Sequence, residues 1–312
     1  MYYPLLRARQ FELITLRELV AENAIQGVVT PVIEPVKETH NNLDLAFDVF
    51  QEGDQPVYVI MNPENGEMAG DGSHYIDYLS NKEEGTYLPA FRYKSNGRYI
   101  QQAIQNNDLQ QCLIICQNNV NPSDEDFTSV AELGQVVAFN IEDPDRNRPL
   151  KRYIRGLQKT FIRLDDPFEK QLRNSDFLAI PEHQFTEEHL YFDTEDNFDG
   201  FSDYTILPSE YIEGGSTPRA VAIHLTYLHN QDQIWIRHFT SDTNDSIANV
   251  QGKFAEAAAK AVHYCRRNGL TNSALEELFT HYDEQHYPGL GTVKKISMKN
   301  HILVVAGFLR NR

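Results

Sequence analysis

Much that would announce a function is missing from this sequence. Its 312 residues hold three cysteines, Cys112, Cys116 and Cys265. Three cannot all pair within one chain, and two share the apolar stretch CLIIC. Reduced, buried thiols in a reducing compartment are expected. The Cys112-x3-Cys116 spacing lacks a second ligand pair, which argues against zinc. No apolar run approaches the ~20 residues of a membrane span. The opening MYYPLLRARQFEL has no basic segment followed by a long apolar run, so no signal peptide is read and a cytoplasmic protein is expected. Basic residues are scarce. Lys and Arg number 28 against 45 Asp and Glu, for a formal net charge of −17. Nucleic-acid binding draws on basic surface and counterion release, so the surface as a whole is unsuited to nonspecific duplex binding. A local basic groove would escape that argument, and a cationic partner or plain solubility also fits the charge. No nucleophile elbow, P-loop, GxGxxG or CxxC occurs, which counts against the common hydrolase, nucleotidase and redox classes.

What is present is a long alternation of β-rich and helical patterns. The 41% hydrophobic content supports a sizeable core. Six apolar runs read as strands: YYPLL, VVTPVIEPV, PVYVIMNP, QCLIICQ, VVAFNIEDP and KTFIRLDD. A seventh falls within 201–207, and AVAIHLTYL with IWIRHFTS forms a hairpin or an extended eighth. Between them stand helical patterns. RQFELITLRELV is one. Another carries Leu43, Phe47 and Phe50, capped by Asn41 or Asn42 and ended by Gly53. RYIQQAIQN is a third, Asp124 or Asp126 starts a fourth that ends at Gly134, and PLKRYIRGL is a fifth. Asp245 opens the clearest helix, which ends at Gly269, and Ser273 caps the next. HILVVAGFL is either a strand or a buried helix. Residues 64–95 read as an irregular insertion. About eight strands alternating with helices predict one (β/α)8, TIM-barrel-like domain over residues 1–312, irregular in its second half. An open doubly wound sheet is the alternative.

In parallel α/β folds, function gathers where strands end. The first run ends in Arg7 and Arg9, with Glu12 on the next helix. The second ends in Glu34 and Lys37, the third in Asn62, the fourth in Gln117. The fifth ends in Glu142 and Asp143, the sixth in Arg163, Asp165 and Asp166. The seventh offers Asp203 and Tyr204, and the eighth Arg237 and His238, with His224 beside them. Polar strand ends are expected in any barrel, because they meet water. Glu34, Asp203 and Arg237 stand out because each closes or interrupts an apolar run, where an unpaired charge is costly. Glu34 and Asp203, together with Asp143 at the end of the fifth run, are the candidate catalytic acids, bases or metal ligands. Arg7, Arg9, Lys37, Arg237 and His238 are the candidate ligand-binding residues, because guanidinium groups hold phosphate or carboxylate bidentately. No particular metal or cofactor is indicated. PGLG at 288–291 reads as a turn, the pair His281 and His286 as a solvated helix end, and Asp193, Glu195, Asp196 and Asp199 as a charged loop.

YYPLLRARQFELITLREL followed by TPVIEP resembles the bacterial and prophage "Beta family" proteins. These open with a Tyr-x-Pro-x-Leu-Lys/Arg strand, a Glu-containing helix and a strand reading P-x-I-E. The matching positions are Tyr2 or Tyr3, Pro4, Arg7, Glu12, Leu16, Pro31, Ile33 and Glu34. GFSDYT (200–205) and IWIRHFT (234–240) match in kind, whereas 64–95 has no counterpart. The resemblance implies a barrel-like fold and an association with mobile elements and phage defence, next to a nuclease-like partner. The leading expectation is a subunit of a defence or toxin-like module that binds a protein partner or a ligand at the barrel mouth. The alternative is an enzyme acting on a phosphate-bearing or nucleotide substrate at the same rim, with or without a metal. An acidic mimic of nucleic acid ranks last, since the acids are scattered among apolar strands.

Overall fold

The computed structural model describes residues 1–82, 85–214, 217–230 and 232–312. Seven parallel strands follow one another in chain order: β1 (Leu5–Arg7), β2 (Val32–Glu34), β3 (Tyr58–Ile60), β4 (Leu88–Tyr93), β5 (Cys112–Gln117), β6 (Val136–Glu142) and β7 (Thr160–Leu164). The chain then diverts β8 (Glu182–Thr186) to a second sheet and returns with β9 (Gly200–Ser202) beside β7. Tyr2 bridges both Val29 and Phe201. Tyr3 N donates to Phe201 O and Leu5 N to Asp203 O, both at 2.8 Å. These contacts bring the last strand back to the first and complete the circuit of a (β/α)8-type barrel.

Six helices alternate with the barrel strands: α1 (Gln10–Ala21), α2 (Asn41–Glu52), α3 (His74–Leu79), α4 (Gly97–Asn106), α5 (Glu125–Ala131) and α6 (Arg148–Gly156). The short α7 (Glu188–Tyr191) precedes β9. Then β10 (Ala222–His229) and β11 (Gln233–Thr240) pair antiparallel, and β8 joins on the far edge of β11. α8 (Val250–Arg267), α9 (Ser273–Asp283) and α10 (Leu290–Asn311) complete the chain. α10 packs on β10, α1 and α9. Its Lys295 and Lys299 are nearly buried and reach Glu18 of α1 at 2.6 and 2.8 Å. This ionic clasp ties the three-stranded sheet and its helices to the barrel wall. No helix among the described residues is long and apolar enough to cross a membrane.

The strand alternation sorts side chains into two cores. Leu5, Val32, Ile60, Ala90, Leu113, Ala138 and Ile162 fill the barrel, while Leu6, Ile33, Val59, Phe91, Ile114, Phe139 and Phe161 face the helices. A third cluster lies between the second sheet and α8–α9. All three cysteines are buried and free. Burial pushes the Cys112 and Cys265 thiols up to about 12, and raises Cys116 as well.

The structure differs from the sequence expectation in several places. Residues 64–95, expected as an irregular insertion, contain α3 and the fourth barrel strand. The strand LPAFRY was hidden by a proline and an arginine, which break its apolar run. The hairpin expected as the eighth barrel element belongs to the separate sheet, because β9, only three residues long, closes the barrel. α8 begins at Val250 under the cap of Asn249, whose side chain accepts from Gly252 N, rather than at Asp245. Asn272, not Ser273, caps α9. HILVVAGFL is helical, within α10.

Candidate functional site at the barrel mouth

At the C-terminal end of the barrel the inward positions turn polar. One period after Leu5, Val32 and Ala90 stand Arg7, Glu34 and Arg92. Glu34 is fully buried, and each of its oxygens is engaged. Oε1 accepts from Glu64 N at 2.9 Å and from Asn65 Nδ2 at 3.2 Å. Oε2 accepts from Arg92 Nη2 at 2.9 Å and lies 3.7 Å from Arg7 Nε. Burial by itself would raise the Glu34 pKa, but Arg92, Arg7 and the Glu64 N–H together hold it below the usual carboxylate range. The two arginines share the carboxylate unevenly. Burial works against the charge of both. Arg92, directly bonded to Glu34, ends above its ordinary pKa, whereas the more distant Arg7 ends below. The Nε–H groups of both are buried without a hydrogen-bond partner among the described residues. Asn62, at the end of β3, exchanges two bonds with the Arg92 backbone at 2.8 and 2.9 Å and extends the ladder there.

A strap, residues 204–214, crosses this mouth. Arg7 Nη2 donates to the Ser209 carbonyl, and its guanidinium lies 4.9 Å from the Tyr204 ring. Arg9 Nη2 donates to Ile212 O at 2.6 Å and sits 4.6 Å over Tyr211. Ser209 N donates to Asp166 Oδ2 at 3.0 Å. The strap is thus pinned between the ends of β1 and β7. Beside it lies a pocket of about 450 Å³, lined by Arg9, Gln10, Lys37, Asn42, Tyr211 and Glu213 among others. The pocket meets the N-terminal turns of α1 and α2, and neither helix has a side-chain cap. Lys37 is exposed and pairs with Glu67 at 2.6 Å.

The other half of the mouth is a cleft of about 20 Å³ between Arg92, Gln117 and Glu142, room for about one water molecule. Glu142 is half-buried. Burial raises its pKa, Arg92 opposes, and Asp166, Asp143 and Glu64 push it further up.

The sequence-predicted residues therefore divide. Arg7 and Glu34 meet as one buried cluster, and Arg9 and Lys37 share the neighbouring pocket. Asp143 occupies a left-handed turn, with φ of +43°, and pairs with Arg146 at 2.6 Å. Asp203 faces outward from the wall, toward α10. It accepts from Tyr2 OH at 2.6 Å and from Thr205 N at 2.7 Å, and His301 Nε2 is 3.3 Å away. Arg237 and His238 belong to β11. Arg237 pairs with Glu182 at 2.9 Å and stacks 4.5 Å from Tyr264. His238 Nδ1 lies 2.6 Å from His224 Nδ1, and burial lowers these imidazoles to about 2 and about 4. Glu34, Asp143 and Asp203 thus do not share a site, and Arg237 and His238 stand apart from the mouth arginines. No group of three or more His, Cys, Asp or Glu among the described residues is placed to hold a metal ion. The residue that sequence reasoning missed is Arg92. Its signal, a charge interrupting an apolar run, is the same one that marked Glu34.

No protein-family model and no curated protein matches the chain. The site is therefore read from its own geometry.

Proposed function

We propose that the protein is a binding subunit whose barrel mouth takes a small phosphate- or carboxylate-bearing ligand in the pocket between β1 and β2. The observation that carries this reading is the convergence of Arg9 and Lys37 on one cavity of about 450 Å³, at the start of two helices that lack side-chain caps. The volume suits a small molecule. Free N–H groups and the positive end of a helix attract anions, and two cations add to that field. Arg9 is steadied by Ile212 O and Tyr211, so it is oriented before a ligand arrives. Glu34 supports the same reading from below. With its oxygens engaged, it serves as the anchor that fixes Arg7 and Arg92, and Arg7 in turn holds the strap.

A thermal-shift panel of inorganic phosphate, nucleoside monophosphates, sugar phosphates and dicarboxylates tests the proposal. At least one class is expected to stabilise the protein, and Arg9→Ala with Lys37→Ala is expected to remove that stabilisation. No response from the whole panel would overturn it. The defence or toxin-like setting and the nuclease-like protein partner are what the resemblance implies for such a subunit. Co-expression with the adjacent gene product, followed by pull-down, tests that part separately.

One observation favours a second reading, an enzyme acting on a phosphate-bearing substrate. Glu142 is a half-buried carboxyl with a raised pKa beside a guanidinium, a combination suited to proton transfer. Turnover of a phosphate ester that is lost in Glu142→Gln would favour it over binding alone.

A further inference from the structure

The chain carries a net charge of −17, yet one of its cavities is lined by four cations. This groove, of about 980 Å³, lies between the segment 168–177, the segment 217–222, the 244–247 loop and the start of α10. Lys170, Arg173, Arg219 and Lys294 line it, and Asp245 is the single carboxylate among its described lining residues. Lys170 is paired with Glu210, and Lys294 with Glu12 at 2.9 Å. Arg173 and Arg219 are exposed and make no ion pair among the described residues. Leu172 is 99% exposed and Ile247 61% exposed on the same groove. Such side chains cost free energy in water unless something covers them.

From this pairing of free guanidinium groups with bare aliphatic side chains, we infer that the groove is a docking surface for an acidic protein segment that carries aliphatic anchors. Charge complementarity sets the sign of the partner. Carboxylates of the segment meet Arg173 and Arg219 bidentately, and its aliphatic side chains cover Leu172 and Ile247. A nucleic acid would match the charge, but single strands are held by stacking on exposed aromatic rings. Of the two phenylalanines that line the groove, Phe177 is buried, and Phe168 is half-buried with its ring packed against Phe177 and His224. The surface is distinct from the mouth pocket, so it stands or falls independently of the ligand proposed there.

Fluorescence anisotropy with the full chain tests this, using a labelled peptide of alternating Glu and Leu, its Gln-for-Glu counterpart and a single-stranded oligonucleotide. The Glu–Leu peptide is expected to bind. The Gln peptide, and the variants Arg173→Glu, Arg219→Glu and Leu172→Ser, should each weaken binding by roughly tenfold or more. These side chains are exposed, so the variants keep the fold, and circular dichroism checks it. Three results would overturn the inference. One is no binding of the Glu–Leu peptide, or equal binding by all variants. Another is tighter binding of the oligonucleotide. The third is a dimer in sedimentation that Arg219→Glu dissociates, which would make a second copy of this chain the occupant.

Discussion

Arg92 Nη2 of the fourth strand lies 2.9 Å from Glu34 Oε2 of the second, spanning β3 at the barrel mouth. Replacing Glu34 takes the carboxylate from both Arg92 and Arg7, and replacing Arg92 leaves Glu34 only the looser Arg7 contact at 3.7 Å, a loss of up to about 3–5 kcal/mol. Glu34→Gln and Arg92→Met are each expected to lower stability by that order in urea denaturation. The double variant is expected to cost less than the sum, because no orphan charge remains on that pair. Full additivity would show that the two act independently.

Acid sensitivity follows from the same carboxylate. Its folded pKa lies below the ordinary value of 4.5, so its contribution is present above pH 4.5 and is lost as pH falls through the folded pKa. His224 and His238 act at higher pH. Their folded values, about 4 and about 2, lie below the ordinary 6.5. The unfolded chain binds more protons below pH 6.5, so stability falls as pH drops from 6.5 toward 4. Urea midpoints between pH 7 and 4.5 should decline, and His224→Phe should flatten that slope. An unchanged slope in this variant would assign the decline to other groups.

The strap depends on two guanidinium groups. Arg7→Ala and Arg9→Ala should speed amide exchange across 204–214, with little change in α4 or α5. Exchange rates identical to those of the parent would mean that Ser209 and Ile212 are held by something else.

Asp203 is expected to matter for stability and not for the mouth. Asp203→Asn removes a charge-assisted partner from Tyr2 and His301 and should cost on the order of 1–3 kcal/mol, leaving ligand affinity unchanged. Loss of affinity at full stability would reassign Asp203 to the site.

The barrel was legible where strands are pure in character. CLIIC and VVAFNIE could only be buried, and both are strands of the parallel sheet. The fourth strand was not, because Pro89 and Arg92 interrupt it, and its arginine answers a carboxylate 58 residues earlier. Register was the other obstacle. In β9 and the two residues after it, Ser202 and Tyr204 face the interior, so Asp203 between them faces α10, and a period of two turns a one-residue misreading into the opposite side of the wall. Arg9 and Lys37 were legible only by their place just past strand ends. That they share a pocket depends on Tyr211 and Glu213, which come from a segment with no periodic signal.

The most direct measurement is calorimetric titration of the parent chain and Lys37→Ala with the ligand class that stabilises it most. Lys37 is exposed, its ion pair is to the surface residue Glu67, and Glu213 of the strap is the other carboxylate acting on it, so the substitution leaves the fold intact. The account predicts saturable binding at one site, weakened roughly tenfold in Lys37→Ala. Equal affinity in the two proteins would contradict it.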